Sequence, residues 1–283
     1  MRGRRSIGAV TLAGVVLAGC AGSASPTAVA TPVPTRYPIA TAPDQAILRI
    51  EVDGLFARRD GLPALVLSGD GLVLEDPAET ACCGLGPLVP TMSAAHLSAS
   101  EIQTILRLSA RAGLMGANAH YEANITDADQ TTYTVIVGGV EHKVSSYGGG
   151  SAPGPNKDER VVLDGFFDQV LEHLDGLLGR LVGWDSYAPA SIEVTAQEPW
   201  NWHGPQSGGP AWLWPLATDP GSVANPSNQP RYGCLIITGS DMAVFTAAAM
   251  DAPADSVWSA QSGPWQLKAR PVIPGAVPCT GGW

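Results

Sequence analysis

The residues best suited to chemistry are four indoles in two Trp-x-Trp pairs, Trp200-Asn201-Trp202-His203 and Trp212-Leu213-Trp214. In an extended chain, residues two apart face the same way, so each pair presents both rings on one side. With Asn201 and His203 beside them, Trp200, Trp202, Trp212 and Trp214 can make a stacking platform for a sugar ring or a peptide. The same rings can instead be core, with their N–H groups bonded to backbone. Two acidic pairs come next. Asp127 and Asp129 could ligate calcium together with loop carbonyls, or bond nearby N–H groups as turn formers. Glu51 and Asp53 share one strand face and could act as acid and base, or simply face water. No Gly-x-Ser-x-Gly elbow, P-loop, His-Glu-x-x-His or dinucleotide fingerprint occurs. The histidines at 96, 120, 142, 173 and 203 are scattered, and none sits at metal-ligand spacing. No catalytic residue, metal or cofactor is assigned on this basis, although a catalytic triad is a matter of geometry and not of spacing.

The N-terminus carries a different kind of chemistry. Arg2, Arg4 and Arg5 precede an apolar run from Ile7 to Gly19, too short to span a bilayer as a stable helix. The run ends in Leu17-Ala18-Gly19-Cys20, which resembles the lipobox of bacterial lipoproteins. That resemblance implies a thiol at Cys20 bearing a diacylglyceryl group, and cleavage just before it, with Ala18 and Gly19 small enough to enter the peptidase. Two or more acyl chains hold a protein on a membrane where one would not. The expectation is a lipoprotein of the bacterial cell membrane, with its body on the extracytoplasmic face. Residues 1–19 are then the signal peptide. Residues 20–44, rich in Pro, Ala and Thr and nearly free of charge, form a disordered spacer.

The net charge of -10 becomes -13 once the three signal-peptide arginines are removed. An acidic body argues against nucleic acid and against peripheral binding to anionic lipid. Once Cys20 is acylated, Cys82, Cys83, Cys234 and Cys279 remain. Outside the membrane thiols tend to be oxidised. Cys234 with Cys279 is the preferred pair, both lying in the C-terminal part. Cys82 and Cys83 then form a vicinal disulfide or stay free. Adjacent cysteines lack the spacer that lets two sulfurs reach one zinc.

The elements that must position these groups start near Gln45. Leu48, Ile50 and Val52 alternate with Arg49, Glu51 and Asp53, which predicts a half-buried strand. Gly69-Asp70-Gly71 between two apolar runs predicts a hairpin, and Glu75 to His96 reads as a long loop. Ser98 and Glu101 form a capping box for a helix with Ile102, Ile105, Leu106 and Ser109 inward and Gly113 as its left-handed end. A second hairpin turns at Gly138-Gly139, with Tyr133, Val135 and Val137 alternating on its first arm. An amphipathic helix follows, with Leu163, Phe167, Val170, Leu174, Leu177, Leu178 and Leu181 inward. This order, with the Gly-Asp-Gly hairpin, the capped helix and the Asp/Thr-rich start of the second hairpin, resembles a hairpin-helix-hairpin-helix domain of uncharacterised bacterial lipoproteins over residues 46–182. The family brings no activity with it.

Beyond residue 184 the pattern is strand (Ile192, Val194, Ala196), a Trp-rich loop over 198–228, strand (231–238), and a short helix. That helix is capped by Ser240 or Asp241, with Val244, Phe245 and Ala248 inward. A hairpin about Ser262-Gly263-Pro264 closes the series. The expected fold is α+β, antiparallel hairpins packed on a few helices, as a domain over 45–183 and a smaller half over 184–283. The order of the second part echoes the first, so a remote duplication would appear as the same strand order in both. The expected role is non-catalytic binding of an envelope ligand or partner, or envelope support. The alternatives are an enzyme acting on envelope polymer through the Trp-rich loop, and an enzyme inhibitor.

Overall fold

β1 (Ala46–Asp53) is held as a strand by its alternation, with Leu48 and Ile50 fully buried and Arg49 and Glu51 on the opposite face. The computed structural model describes residues 34, 36–39, 42–54, 62–76, 87–181, 184–199, 212–225, 227–228, 230–254 and 256–279. These give an α+β fold with two mostly antiparallel sheets.

The first sheet grows outward from β1. On one side are β2 (Leu65–Ser68), β3 (Leu72–Glu75), β4 (Ser93–His96) and β8 (Asp185–Ser186). On the other are β6 (Gln130–Val137), β7 (Val140–Tyr147) and β5 (Ala119–Tyr121). The β2–β3 turn has a local cause. Ser68 Oγ donates to Asp70 at 2.5 Å, and Asp70 accepts the Leu72 N–H at 3.2 Å. Burial pushes the Asp70 carboxyl up, but these hydrogen bonds outweigh it and hold the group below the usual range. Gly71 has φ +97°, and a Cβ there would lie 2.3 Å from the Leu97 carbonyl oxygen, so only glycine fits. The β6–β7 turn uses Gly138 and Gly139 at φ +59° and +80°, both in the left-handed region.

Helices α1 (Ala99–Arg111) and α2 (Lys157–Leu181) cover one face of this sheet. The capping box at Ser98 and Glu101 is present, and α1 buries Ile102, Ile105, Leu106 and Ser109. It ends in a Schellman motif. The Gly113 N–H donates to Ala110 O and the Leu114 N–H to Ser109 O, with Gly113 left-handed. α2 contributes Leu163, Phe166, Val170 and Leu174 to the same core as Leu48, Ile50, Tyr133 and Val144. Phe166 takes the innermost aromatic position and Phe167 is half-buried, which corrects the expected face by one residue. The Tyr133 ring meets Phe166 edge-on at 5.8 Å, and its hydroxyl donates to Leu163 O. Burial, with Asp164 and Asp168 nearby, raises the Tyr133 phenol well above its ordinary pKa.

The second sheet has the order β10 (Trp212–Leu213), β12 (Val257–Ala260), β13 (Gly263–Pro271), β9 (Ser191–Gln197) and β11 (Tyr232–Thr238). α3 (Ser240–Ala249) lies over it, burying Phe245 and Ala249 against Val194, Trp258, Trp265 and Leu267. The Cys234–Cys279 disulfide is formed.

Several expectations need correction. The stretch Glu75–His96 is not all loop, because Ser93–His96 pairs with β3. Its Ser-Ala-Ala-His sequence carries no strand signal, and the neighbour imposes the conformation. The three-residue β5 arises in the same way on the edge of β7. Within 198–228, β10 and a 3₁₀ turn at Pro220–Ser222 are ordered. α3 starts after Gly239 with no side-chain cap, and Val244 faces solvent. Tyr37, inside the stretch read as spacer, is buried and exchanges two hydrogen bonds with the Gln103 amide. Duplication fails its own test. β1 pairs with the first arm of its partner hairpin, β6, whereas β9 pairs with the second arm, β13.

Candidate functional site

The face of the second sheet that carries no helix is polar, and so is the part of the first sheet's helix-free face formed by β1, β6 and β7. On the first sheet Arg49 and Glu51 of β1, Thr134 and Ile136 of β6, and Glu141 of β7 share one side, as the register requires. On the second, the cross-strand pair Glu193↔Arg270 occupies the face opposite Val194 and Ala269. A cleft of about 680 Å³ opens between these walls, with the segment from Val272 to Val277 along it. One end is closed by a small third core in which Ile273 meets Ala46, Leu62, Val66 and Leu74.

Each wall holds one guanidinium on a carboxylate. Arg49 Nη2 lies 2.7 Å from Glu51 Oε1, while its Nε is buried without a partner. Arg270 Nη2 donates to both oxygens of Glu193, at 3.0 and 3.1 Å. Glu193 is 3 % exposed and also accepts the Cys279 N–H at 3.2 Å, so the disulfide-bound tail fixes that wall. Asp44 and Glu141 stand at the cleft as exposed carboxylates. With the two arginines already neutralised, the cleft carries an excess of negative charge suited to a cationic group.

The polar face continues past the cleft. Glu51, Thr132, Ser145 and His120 form one row across β1, β6, β7 and β5. At its end, Ser145 Oγ lies 2.6 Å from His120 Nδ1, and His120 Nε2 lies 3.1 Å from Glu122 Oε1. A hydroxyl, an imidazole and a carboxylate in series are the parts of a nucleophile relay. An oxyanion hole is missing from the immediate backbone, because β7 is laddered on both sides at Ser145.

Of the residues singled out in the sequence, Glu51 lines the cleft, and the described tryptophans belong to the second sheet. Trp212 and Trp214 do face the same way, onto the α3-covered core. Trp212 lies 5.7 Å from Trp258, and Trp214 lies 5.7 Å from Phe245, with its Nε1–H donated to Thr218 O. Both keep part of their surface. Trp200, Asn201, Trp202 and His203 lie outside the described residues, as do Cys20, Cys82 and Cys83. Asp127 is a left-handed turn residue, and Asp129 abuts Gly54. Among the described residues no three His, Cys, Asp or Glu side chains are grouped to hold a metal. Glu51 lines the cleft and is paired with Arg49, and Asp53 stands exposed at the end of β1. Sequence reasoning missed Glu193, Arg270 and Glu141. The only hint was a charge on the outward side of otherwise apolar strands. No helix among the described residues is long and apolar enough to cross a membrane.

No family model, curated protein or solved structure matches the chain.

Proposed function

We propose that the protein is a lipid-anchored, extracytoplasmic binding protein of the bacterial cell envelope, and that the cleft between its two sheets takes a small polar ligand bearing an amine or guanidinium. The cleft itself carries the reading. Its volume suits a short peptide or a glycan fragment, and Asp44 and Glu141 supply uncommitted negative charge beside apolar patches from Leu62, Ile136 and Val272. The anchoring half of the proposal rests on the lipobox. Mass spectrometry of the native protein is expected to find Cys20 acylated and at the N-terminus.

Calorimetric titration of the full chain in detergent, against short basic peptides and amino-sugar oligomers, tests the binding half. The Asp44→Asn/Glu141→Gln variant is expected to weaken binding about tenfold or more. A ligand that binds both proteins alike places the site outside the cleft.

The relay at Ser145 favours a second reading, ester or amide hydrolysis at the margin of the cleft. A fluorophosphonate probe that labels Ser145, and does so much more slowly in His120→Ala, supports it. Lack of labelling leaves binding alone.

A further inference from the structure

We infer that a small monovalent anion of the halide class is bound inside the first core, on Arg160, beneath the loop that joins β7 to α2. Arg160 is completely buried, in the first turns of α2. Its Nη2 donates to Ala152 O at 2.9 Å, but Nε and Nη1 have no partner. Among the described residues no carboxylate forms an ion pair with it. Asp158 and Glu159 precede it on exposed positions of the first turn, and Asp164, one turn on, is turned toward the loop, where it accepts the Gly150 N–H at 2.6 Å. A guanidinium does not shed its proton at any physiological pH. It therefore remains a full positive charge out of water, and an uncompensated buried charge is strongly unfavourable.

A second orphan lies on the strand that leads into the same loop. Ser146 Oγ is buried and also unpartnered. Ser146 is two residues past Val144 on β7, so it faces the helix layer, in the row of Thr131. α2 crosses the neighbouring row, that of Tyr133 and Val144, where the Tyr133 hydroxyl meets Leu163 O. Arg160 lies one turn earlier in α2, on the side of the loop that follows β7, and that offset is what brings it toward the Ser146 row. The loop closes above, and Gly149 at φ +60° and Gly154 at φ +133° let its backbone wrap the start of α2. The positive end of the α2 dipole adds to the field. One fixed cation and one hydroxyl donor, both out of water, together with a helix N-terminus suit a single-charged, compact anion. A phosphate would bring excess charge.

The test uses the full chain in detergent. Thermal unfolding is followed in sodium chloride and in sodium gluconate at equal ionic strength. Chloride is expected to raise the midpoint saturably, by several degrees, and gluconate to leave it unchanged. Ser146→Ala keeps the cation and removes one donor, and is expected to raise the chloride concentration at half effect about tenfold. Arg160→Met should abolish the chloride response. Should that variant not fold, Ser146→Ala and a bromide-soaked crystal decide. Bromide is expected to give an anomalous peak within hydrogen-bonding reach of Arg160 Nε and Nη1. A site filled by water with no bromide peak, or a midpoint indifferent to the anion, overturns the inference.

Discussion

Replacing Cys234 and Cys279 together by alanine is expected to lower folding stability by about 4 kcal/mol, the chain-entropy value for a loop of this length. The bridge spans 45 residues and joins β11 to the tail that follows β13. Its loss reaches the cleft as well. The Cys279 N–H makes one of the three hydrogen bonds on Glu193, the other two coming from Arg270 Nη2, and Glu193 holds Arg270 in the wall. Urea unfolding of the oxidised protein, the reduced protein and the double variant checks the effect. The reduced and substituted forms should coincide, at a midpoint well below the oxidised one. A variant as stable as the oxidised protein would show that the tail contributes nothing.

Trp258→Ala should cost about 3–5 kcal/mol, the usual range for deleting a buried aromatic. Trp258 is fully buried, and three other rings lean on it. Trp212 lies at 5.7 Å, Trp214 at 6.4 Å and Phe245 at 6.2 Å. Its Nε1–H donates to Ser256 Oγ, so the site is satisfied as well as filled. Trp258→Phe keeps most of the packing and is expected to lose much less. Near-ultraviolet circular dichroism should collapse in the alanine variant, because Trp212 and Trp214 lose the surface that orients them. An unchanged spectrum would mean that those two indoles are fixed by something other than this core.

Local signals in the sequence carried most of the fold. The alternation of Leu48 with Ile50 and of Trp265 with Leu267 and Ala269 survives as burial. The capping box at Ser98 is formed as written, and the two glycine-bearing hairpins turn where their residues demand. What was hidden depends on long-range pairing. Ser93–His96 is a strand because β3 lies beside it, not because of its own residues. The cleft was hidden for the same reason. Glu193 and Arg270 are 77 positions apart, and their contact follows only once β9 and β13 are known to pair in that register. The facing wall comes from β1, β6 and β7, a third region of the chain. Arg160 gave no warning either, because an arginine in the first turn of a helix ordinarily faces water.

The edge strands of the two sheets differ in how well they resist joining another chain. β5, β8 and β10 are only two or three residues long, too short to template a neighbouring strand. β11 is seven residues long and also terminal. Its first part is screened, because the Asn225 N–H donates to Tyr232 O and Gly233 lies against Ala224. Among the described residues that cover ends at Leu235–Thr238, where Ile236 is open to solvent. Among the described residues, those four are where strand-to-strand self-association of this protein would begin.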